Sequence, residues 1–438
     1  MAMAILRLLN RSLYSKAAMK NLFLKNALVY FRDGIRKSDV AVIDGKIAKV
    51  PTSTDGFETI DLDGALLLPG FADVHVHFRE PGFEYKETIL TGSRAAAAGG
   101  YTDVYTMPNL NPVPDSLKNL QPQLDAIARD AVIDVHPFGS ITKGQVGKEL
   151  ADLEEMAPFV SGYSDDGKGV QDIAIIKEAM ILAKALNKPI VAHCEDNSEL
   201  TPGGAVHAGK WAKENNLPTI NSASEWKMVK RDIELVRETG CTYHICHVST
   251  KESVELIRRA KAENLPITCE TAPHYLILTD EDLMDEGRFK MNPPVRSWED
   301  REALIKGLLD GTIDCIATDH APHSHDEKSK GVSKSAFGIV GLETAFPLLY
   351  TYLAKPGLIP IERIIDSLAY RPREIFGGKV CNFQDGDDAS FTAFAVDGEW
   401  IIDPTTFKSK GQATPFNDWR VSAKNLLTVS HGKIVFQS

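Results

Sequence analysis

Short apolar runs alternate with helix-period stretches through the middle of the chain, from about residue 71 to 370. Eight such runs stand out, at residues 73–77, 102–108, 132–139, 160–166, 189–196, 243–249, 267–273 and 314–322. Helical patterning lies between several of them, for example over 86–98, 173–186 and 253–262. Alternating β and α units predict a parallel sheet, and eight of them predict a closed (β/α)₈ barrel of the TIM type, within an α/β fold. A doubly wound sheet is the alternative. The chain ends are patterned differently. Apolar strands separated by Asp44-Gly45, Asp397-Gly398 and His431-Gly432 suit tight hairpins. They predict a small β-sandwich domain built from both ends, residues 19–70 with 371–438, beside a barrel of 71–370.

Chemistry-bearing side chains fall where the apolar runs stop. His75 and His77 end the first run, Asn109 follows the second, and Asp165 and Asp166 end the fourth. His193 lies in the fifth, His247 in the sixth and Asp319 in the eighth. Barrel enzymes carry their chemistry at the C-terminal ends of the strands, so these residues are expected on one rim. In Asp73-Val74-His75-Val76-His77-Phe78-Arg79 the period of two puts 73, 75, 77 and 79 on one face. Val74, Val76 and Phe78 are then expected against helices. Two imidazoles one step apart can chelate a single divalent ion. His193, His247 and Asp319 extend the set to a nitrogen-and-carboxylate site that suits Zn²⁺, with Mn²⁺, Co²⁺ or Fe²⁺ as alternatives.

Composition narrows the setting. The 438 residues are 43% hydrophobic and 25% charged, which is ordinary for a globular chain, and the length calls for one large domain plus a smaller one. The net charge of -11 argues against nucleic-acid or anionic-membrane partners but leaves room for a small anionic substrate. Six cysteines occur singly with no C-x-x-C pair, which fits buried free thiols in a reducing cytoplasm. Residues 1–32 are basic and contain no Asp or Glu, a composition that superficially fits a transit peptide. The preferred expectation is an upstream extension, residues 1–18, with the start near Met19, because Leu22-Phe23-Leu24 already begins strand-like sequence.

The string Asp73 to Gly82, D-V-H-V-H-F-R-E-P-G, resembles the signature of dihydroorotases of the bacterial class I type, within the amidohydrolase superfamily. The resemblance runs on through Thr106-Met107-Pro108-Asn109, Ser164-Asp165-Asp166-Gly167, Ala192-His193-Cys194-Glu195, His247-Val248-Ser249-Thr250, Met291-Asn292-Pro293-Pro294 and Ala317-Thr318-Asp319-His320. It covers nearly the whole chain from residue 20.

The resemblance implies two metal ions per subunit. His75, His77 and Asp319 would hold one, and His193 and His247 the other. A carboxylate would bridge them where many amidohydrolases use a carboxylated lysine. Asp166 is favoured as that bridge by its spacing to His193 against the family pattern, with Asp165 as the alternative. Arg79, Asn109 and His323 would bind the substrate carboxylate, with His77 nearby. Asn292, Phe337 and Gly338 would contact the ring, partly through backbone groups. The implied reaction is reversible hydrolysis of dihydroorotate to N-carbamoyl-aspartate, with Asp319 as proton shuttle. The family departs here at Pro273-His274-Tyr275-Leu276, where Pro-His-His-Leu is usual. A homodimer and association with a transcarbamoylase are further expectations from family habit. Dihydropyrimidinases and allantoinases are the nearest alternatives, but they usually carry the bridging lysine. A silent homologue serving as a structural partner predicts lost ligands, and every ligand type is present. The polar stretch 324–331 is either a mobile loop over the cleft or a plain solvated loop.

Overall fold

The computed structural model describes residues 20–438, so the expected extension at 1–18, and all but residues 20–32 of the transit-peptide alternative, lie outside the described residues. The first five strands are β1 Leu22–Phe31, β2 Gly34–Ile43, β3 Lys46–Ala48, β4 Glu58–Asp61 and β5 Leu66–Pro69. They join the C-terminal strands β15 Phe391–Ala395, β18 Lys424–Ser430 and β19 Lys433–Gln437 in one sheet, ordered β19-β18-β15-β5-β1-β2-β3. Both chain ends therefore build it, as the turn signals predict. The expected sandwich is instead one continuous sheet that branches at β1, which pairs β4 along its first residues and β5 after a bulge at Leu24–Ala27. Its own core holds Leu24, Val29, Val42, Leu67, Phe391 and Val429.

Between these ends, parallel strands alternate with helices. One arc is β6 Phe71–Val76, β7 Tyr101–Thr106 and β8 Asp134–Pro137. The other is β9 Ile190–Ala192, β12 Tyr243–Ile245, β13 Ile267–Thr271 and β14 Cys315–Ile316. Helices start where a Ser, Thr or Asp side chain accepts an otherwise unpaired first-turn N–H. Thr88 does so for Ile89–Ala98, Ser116 for Leu117–Asp130, Asp172 for Ile173–Ala185, Thr250 for Lys251–Ala262 and Ser297 for Trp298–Leu309. Two short strands, β10 Val206–His207 and β11 Thr219–Ile220, form a separate parallel pair. Another, β16 Trp400–Ile401 with β17 Arg420–Val421, is antiparallel.

Two expectations are corrected. The fourth run, 160–166, is not a strand. Only Tyr163 bridges in parallel, to Gly139 on one side and Ile190 on the other. Gly162 there approaches Pro189 so closely that a Cβ would stand 2.8 Å from its carbonyl oxygen. Strict alternation also fails in the first run. The register of β6 on β7 shifts between Asp73 and Val76, and Val74 clusters with Tyr105, Val191 and Cys246 on or beside other strands, with Phe376 at the end of helix Arg371–Phe376 as its one helical neighbour there. A bulge of this kind re-aims side chains at a functional rim. Val76 and Phe78 do join the helix-packed core. Opposite the Tyr163 bridge, Val76 bridges His320 in parallel, and His77 N–H donates to His320 O at 2.8 Å.

Candidate metal centre

The strand ends bring the candidate ligand side chains together, and the backbone is bent to do it. Arg79, His247 and Asp319 all sit in the left-handed region, at φ 60°, 34° and 49°. Such conformations cost a non-glycine residue about 1–3 kcal/mol each and persist only where the surroundings enforce them. The buried Asp73 carboxylate helps to enforce them. It accepts from His75 N–H, Thr318 N–H and, at 2.6 Å, Thr318 Oγ1, so it ties the first run to the residue before Asp319.

Four imidazoles and two carboxylates meet in a buried cluster. Asp166 faces all four histidines: Oδ1 lies 3.4 Å from His75 Nε2, 3.7 Å from His193 Nδ1 and 3.5 Å from His247 Nε2, while Oδ2 lies 3.4 Å from His77 Nε2. Asp319 Oδ1 stands 3.1 Å from His77 Nε2 and 3.5 Å from His75 Nε2. His193 Nδ1 and His247 Nε2 approach to 2.9 Å. Two groups, His75–His77–Asp319 and Asp166–His193–His247, each offer ligand atoms within 4.8 Å of one another. Asp165 turns away. Its Oδ1 accepts from Ile141 N–H at 2.8 Å and Thr142 N–H at 3.1 Å, and its other oxygen takes the Thr142 hydroxyl. Of the two aspartates, only Asp166 points at the histidines.

The cluster fits divalent cations. His75 Nε2 and Asp166 Oδ1 are buried with no hydrogen-bond partner, and such groups are costly unless something compensates them. Burial alone would lower the His75 imidazole, but the Asp166 and Glu270 carboxylates hold it well above its ordinary value. Burial alone would raise Asp166, but the charge of His75 and the hydrogen bonds of His247 and His75 hold it well below the carboxylate range. A donor set of imidazole nitrogen and carboxylate oxygen suits first-row divalent ions.

Partners behind the ligands fix their tautomers. Glu270 is fully buried on β13, and its Oε1 lies 2.7 Å from His75 Nδ1. A carboxylate only accepts, so His75 keeps a proton on Nδ1, and Nε2 is the atom that would become a ligand on giving up its own proton. Glu270 also takes His244 Nε2 at 3.1 Å and the His247 N–H at 3.3 Å, so it backs both ligand groups. His77 Nδ1 donates to Asn109 Oδ1 at 2.8 Å. The sequence carries one signal for Glu270, a carboxylate within an apolar strand run.

The expected substrate residues form the wall beside the cluster. Arg79 is 8% exposed, and its Nε donates to Pro322 O at 3.2 Å. His323 lies 3.3 Å from Arg79 Nη2, but both its nitrogens are engaged. Lys86 Nζ donates to Nδ1 at 3.3 Å, so Nε2 carries the proton and donates to Phe337 O at 2.7 Å. His323 therefore orients Phe337 and offers no spare donor to a carboxylate. Burial, then the charges of Arg79 and Lys86, push it down to about 3, which keeps it neutral. Asn109 keeps its amide N–H groups free of His77. Asn292 Nδ2 donates to Glu195 Oε1 at 2.9 Å. Tyr275, the family departure, donates to Pro293 O at 2.5 Å and so braces the neighbour of Asn292. Gly338 N–H donates to Lys290 O at 3.0 Å. The stretch 324–331 is not a plain loop: a helical turn, His325–Lys328, opens it, and Glu327 pairs with Lys86 at 2.8 Å.

The fold and these converging ligands define a metal-dependent cyclic amidohydrolase. Residues 64–253 match the family model described as dihydro-orotase-like. The chain is 46% identical over 418 residues to the dihydroorotase of Fusobacterium nucleatum subsp. nucleatum, covering 95% of this chain and 98% of that one. It is 46% identical over 424 residues to the dihydroorotase of Bacillus cytotoxicus, with the same coverages. Among solved structures, the L-hydantoinase (dihydropyrimidinase) from Arthrobacter aurescens superposes with a TM-score of 0.83 at 27% identity, covering 96% of each chain. The dihydropyrimidinase from Brevibacillus agri NCHU1002 gives 0.83 at 21% identity over 95% of each, a likeness of fold. This chain belongs to the dihydroorotase family.

Proposed function

We propose that the protein is a dihydroorotase of the bacterial class I type, which reversibly hydrolyses (S)-dihydroorotate to N-carbamoyl-L-aspartate in pyrimidine biosynthesis. The observation that carries this reading is Asp166, a buried carboxylate facing all four imidazoles where many amidohydrolases place a lysine. His75, His77 and Asp319 would hold one ion, His193 and His247 the other, and Asp166 both; Zn²⁺ is the first candidate. When bound, such ions lower the pKa of water toward about 7 and polarise an amide carbonyl.

The chain's own groups then do three things. Arg79 spends only Nε on Pro322 O, so its remaining donors match a carboxylate bidentately, with Asn109 N–H groups beside them. Asn292 gives its amide N–H to Glu195 and keeps its carbonyl oxygen for a ring N–H. Asp319 is the base: its carboxylate takes the proton of the attacking water and delivers it to the leaving ring nitrogen. Ring closure consumes a proton, so lower pH favours dihydroorotate and higher pH the open product.

We place this arrangement in a closed (β/α)₈ barrel, and isolated bridges between the two arcs support that reading. The parallel bridges Gly139–Tyr163–Ile190 and Val76–His320 join the two arcs at both seams. No helix among the described residues is long and apolar enough to cross a membrane, and all six cysteines are free and buried, which supports a cytoplasmic site of action. Homodimer formation and a transcarbamoylase partner are proposals for sedimentation analysis. The deciding experiment measures bound metal and the absorbance loss on adding dihydroorotate. Turnover of dihydroorotate but not of carboxylate-free dihydrouracil is expected. The reverse preference makes the protein a dihydropyrimidinase, and a metal-replete protein active on neither is the silent homologue.

A further inference from the structure

Lys328 is 8% exposed, and its ammonium meets no carboxylate among the described residues. It is surrounded instead by backbone carbonyls. Nζ donates to Lys290 O at 3.0 Å, Ala336 O at 2.7 Å and Gly338 O at 2.6 Å. An ammonium has three N–H donors, so all three are used. The three acceptors belong to two segments far apart in sequence, and Lys328 itself belongs to a third. The first segment leads from Lys290 to Asn292. The second is Ala336–Gly338, which holds the Phe337 carbonyl that accepts from His323. The third runs from His323 through the helical turn His325–Lys328. Each carries a residue read above as lining the substrate pocket.

Burying a charge is costly, and burial, then the charge of Lys290, push the Lys328 amine down to about 7, against a smaller opposing effect of the Glu327 carboxylate. A surface loop has no need of such a group. Gly338 shows why the join must be tight. It sits at φ 129°, and a Cβ there would stand 2.6 Å from Ala321 O, so the segment passes against the residues that follow Asp319 with no side chain between.

We propose that Lys328 is a positioning residue for substrate: its ammonium clamps the segments bearing Asn292, His323 and Phe337–Gly338 into one rigid pocket wall. The proposal rests on the dihydroorotase reading of that wall. Substrate binding, rather than the bond-breaking step, is what the clamp serves, because it touches neither the ligand cluster nor Asp319.

The test compares wild type, Lys328→Met and Lys328→Arg as metal-loaded full-length proteins. Dihydroorotate kinetics, bound metal and amide hydrogen exchange of 324–338 are measured for each. In Lys328→Met, KM is expected to rise by about tenfold or more with kcat within about threefold and metal content unchanged. Exchange at 324–338 should quicken, and Lys328→Arg should recover part of the KM. A wild-type KM in a folded Lys328→Met protein overturns the proposal, whether or not exchange quickens. An equal fall in kcat and metal content also overturns it, since that is general collapse of the site. Should Lys328→Met fail to fold, Lys328→Arg alone decides: its KM must rise with kcat held. If wild type does not turn over dihydroorotate at all, the functional reading fails first and by a separate observation.

Discussion

At the scale of single residues, the polar side chains around the ligand cluster have distinct partners, which makes substitutions informative. Asp319→Asn keeps an oxygen toward His77 but loses the base. It should retain metal and lose turnover by about 10²–10⁴-fold, the usual worth of a positioned general base. Metal-replete Asp319→Asn with near-normal kcat would refute the proton shuttle. Glu270→Gln replaces the acceptor behind His75 with an amide that can present either end, so metal affinity should fall about 10- to 100-fold, read by chelator competition. Arg79→Met removes the guanidinium, including the donors not given to Pro322 O. It should cost about 1.5–3 kcal/mol in kcat/KM for dihydroorotate and far less for a carboxylate-free ring, since the loss is one charged hydrogen-bonded contact. The ligands themselves were legible in sequence because imidazoles and carboxylates ending apolar strands need a reason to be there. The partners of Glu270 and Lys328 were not. They lie 195 positions away in one case and 38 and 10 in the other, and no local period encodes those pairings.

At the scale of elements, the choice between Asp165 and Asp166 was open in sequence because neighbours on a strand face opposite ways. The fourth run then proves not to be a strand, so alternation could not have settled it. Hydrogen bonding distinguishes them: Asp165 satisfies Ile141 N–H, Thr142 N–H and the Thr142 hydroxyl, and Asp166 faces the histidines. The two carboxylates should therefore fail differently. Asp165→Ala strands buried donors on the 141–142 turn and should lower stability by about 1–3 kcal/mol while metal content stays near wild type. Asp166→Ala should lose bound metal with a smaller change in the unfolding midpoint. Thermal melts paired with metal analysis read both, and metal loss in Asp165→Ala alone would reverse the assignment. The bulge in β6 was equally invisible. Its apolar residues fit a strict period of two, and the shift that sends Val74 inward arises from register against β7, a long-range pairing.

At the scale of the whole molecule, the terminal sheet is anchored to the α/β body at a few polar contacts. Asn425 and Thr428 of β18 donate to the last carbonyls of helix Ile89–Ala98. His431, in the turn between β18 and β19, sets Nε2 2.8 Å from Asp134 Oδ2 at the start of β8. The His431-Gly432 turn was legible in sequence, but its partner was not. That contact predicts a pH dependence. The hydrogen bond to Asp134 raises the His431 pKa above its ordinary value, against a smaller opposing effect of burial. The folded state therefore binds this proton more tightly than the unfolded chain, and the contribution is complete below about pH 6.5. It is lost as pH rises through the elevated folded value. His431 is 36% exposed, so screening holds the effect to about 0.5 kcal/mol. Other groups titrate in the same range, so the informative quantity is a difference of differences. The fall in Tm from pH 6 to pH 9 should be smaller in His431→Gln than in wild type, and Asp134→Asn should reproduce the flattening. Parallel curves for wild type and both variants would mean that the sheet is held to the α/β body by packing and by the β18 contacts alone.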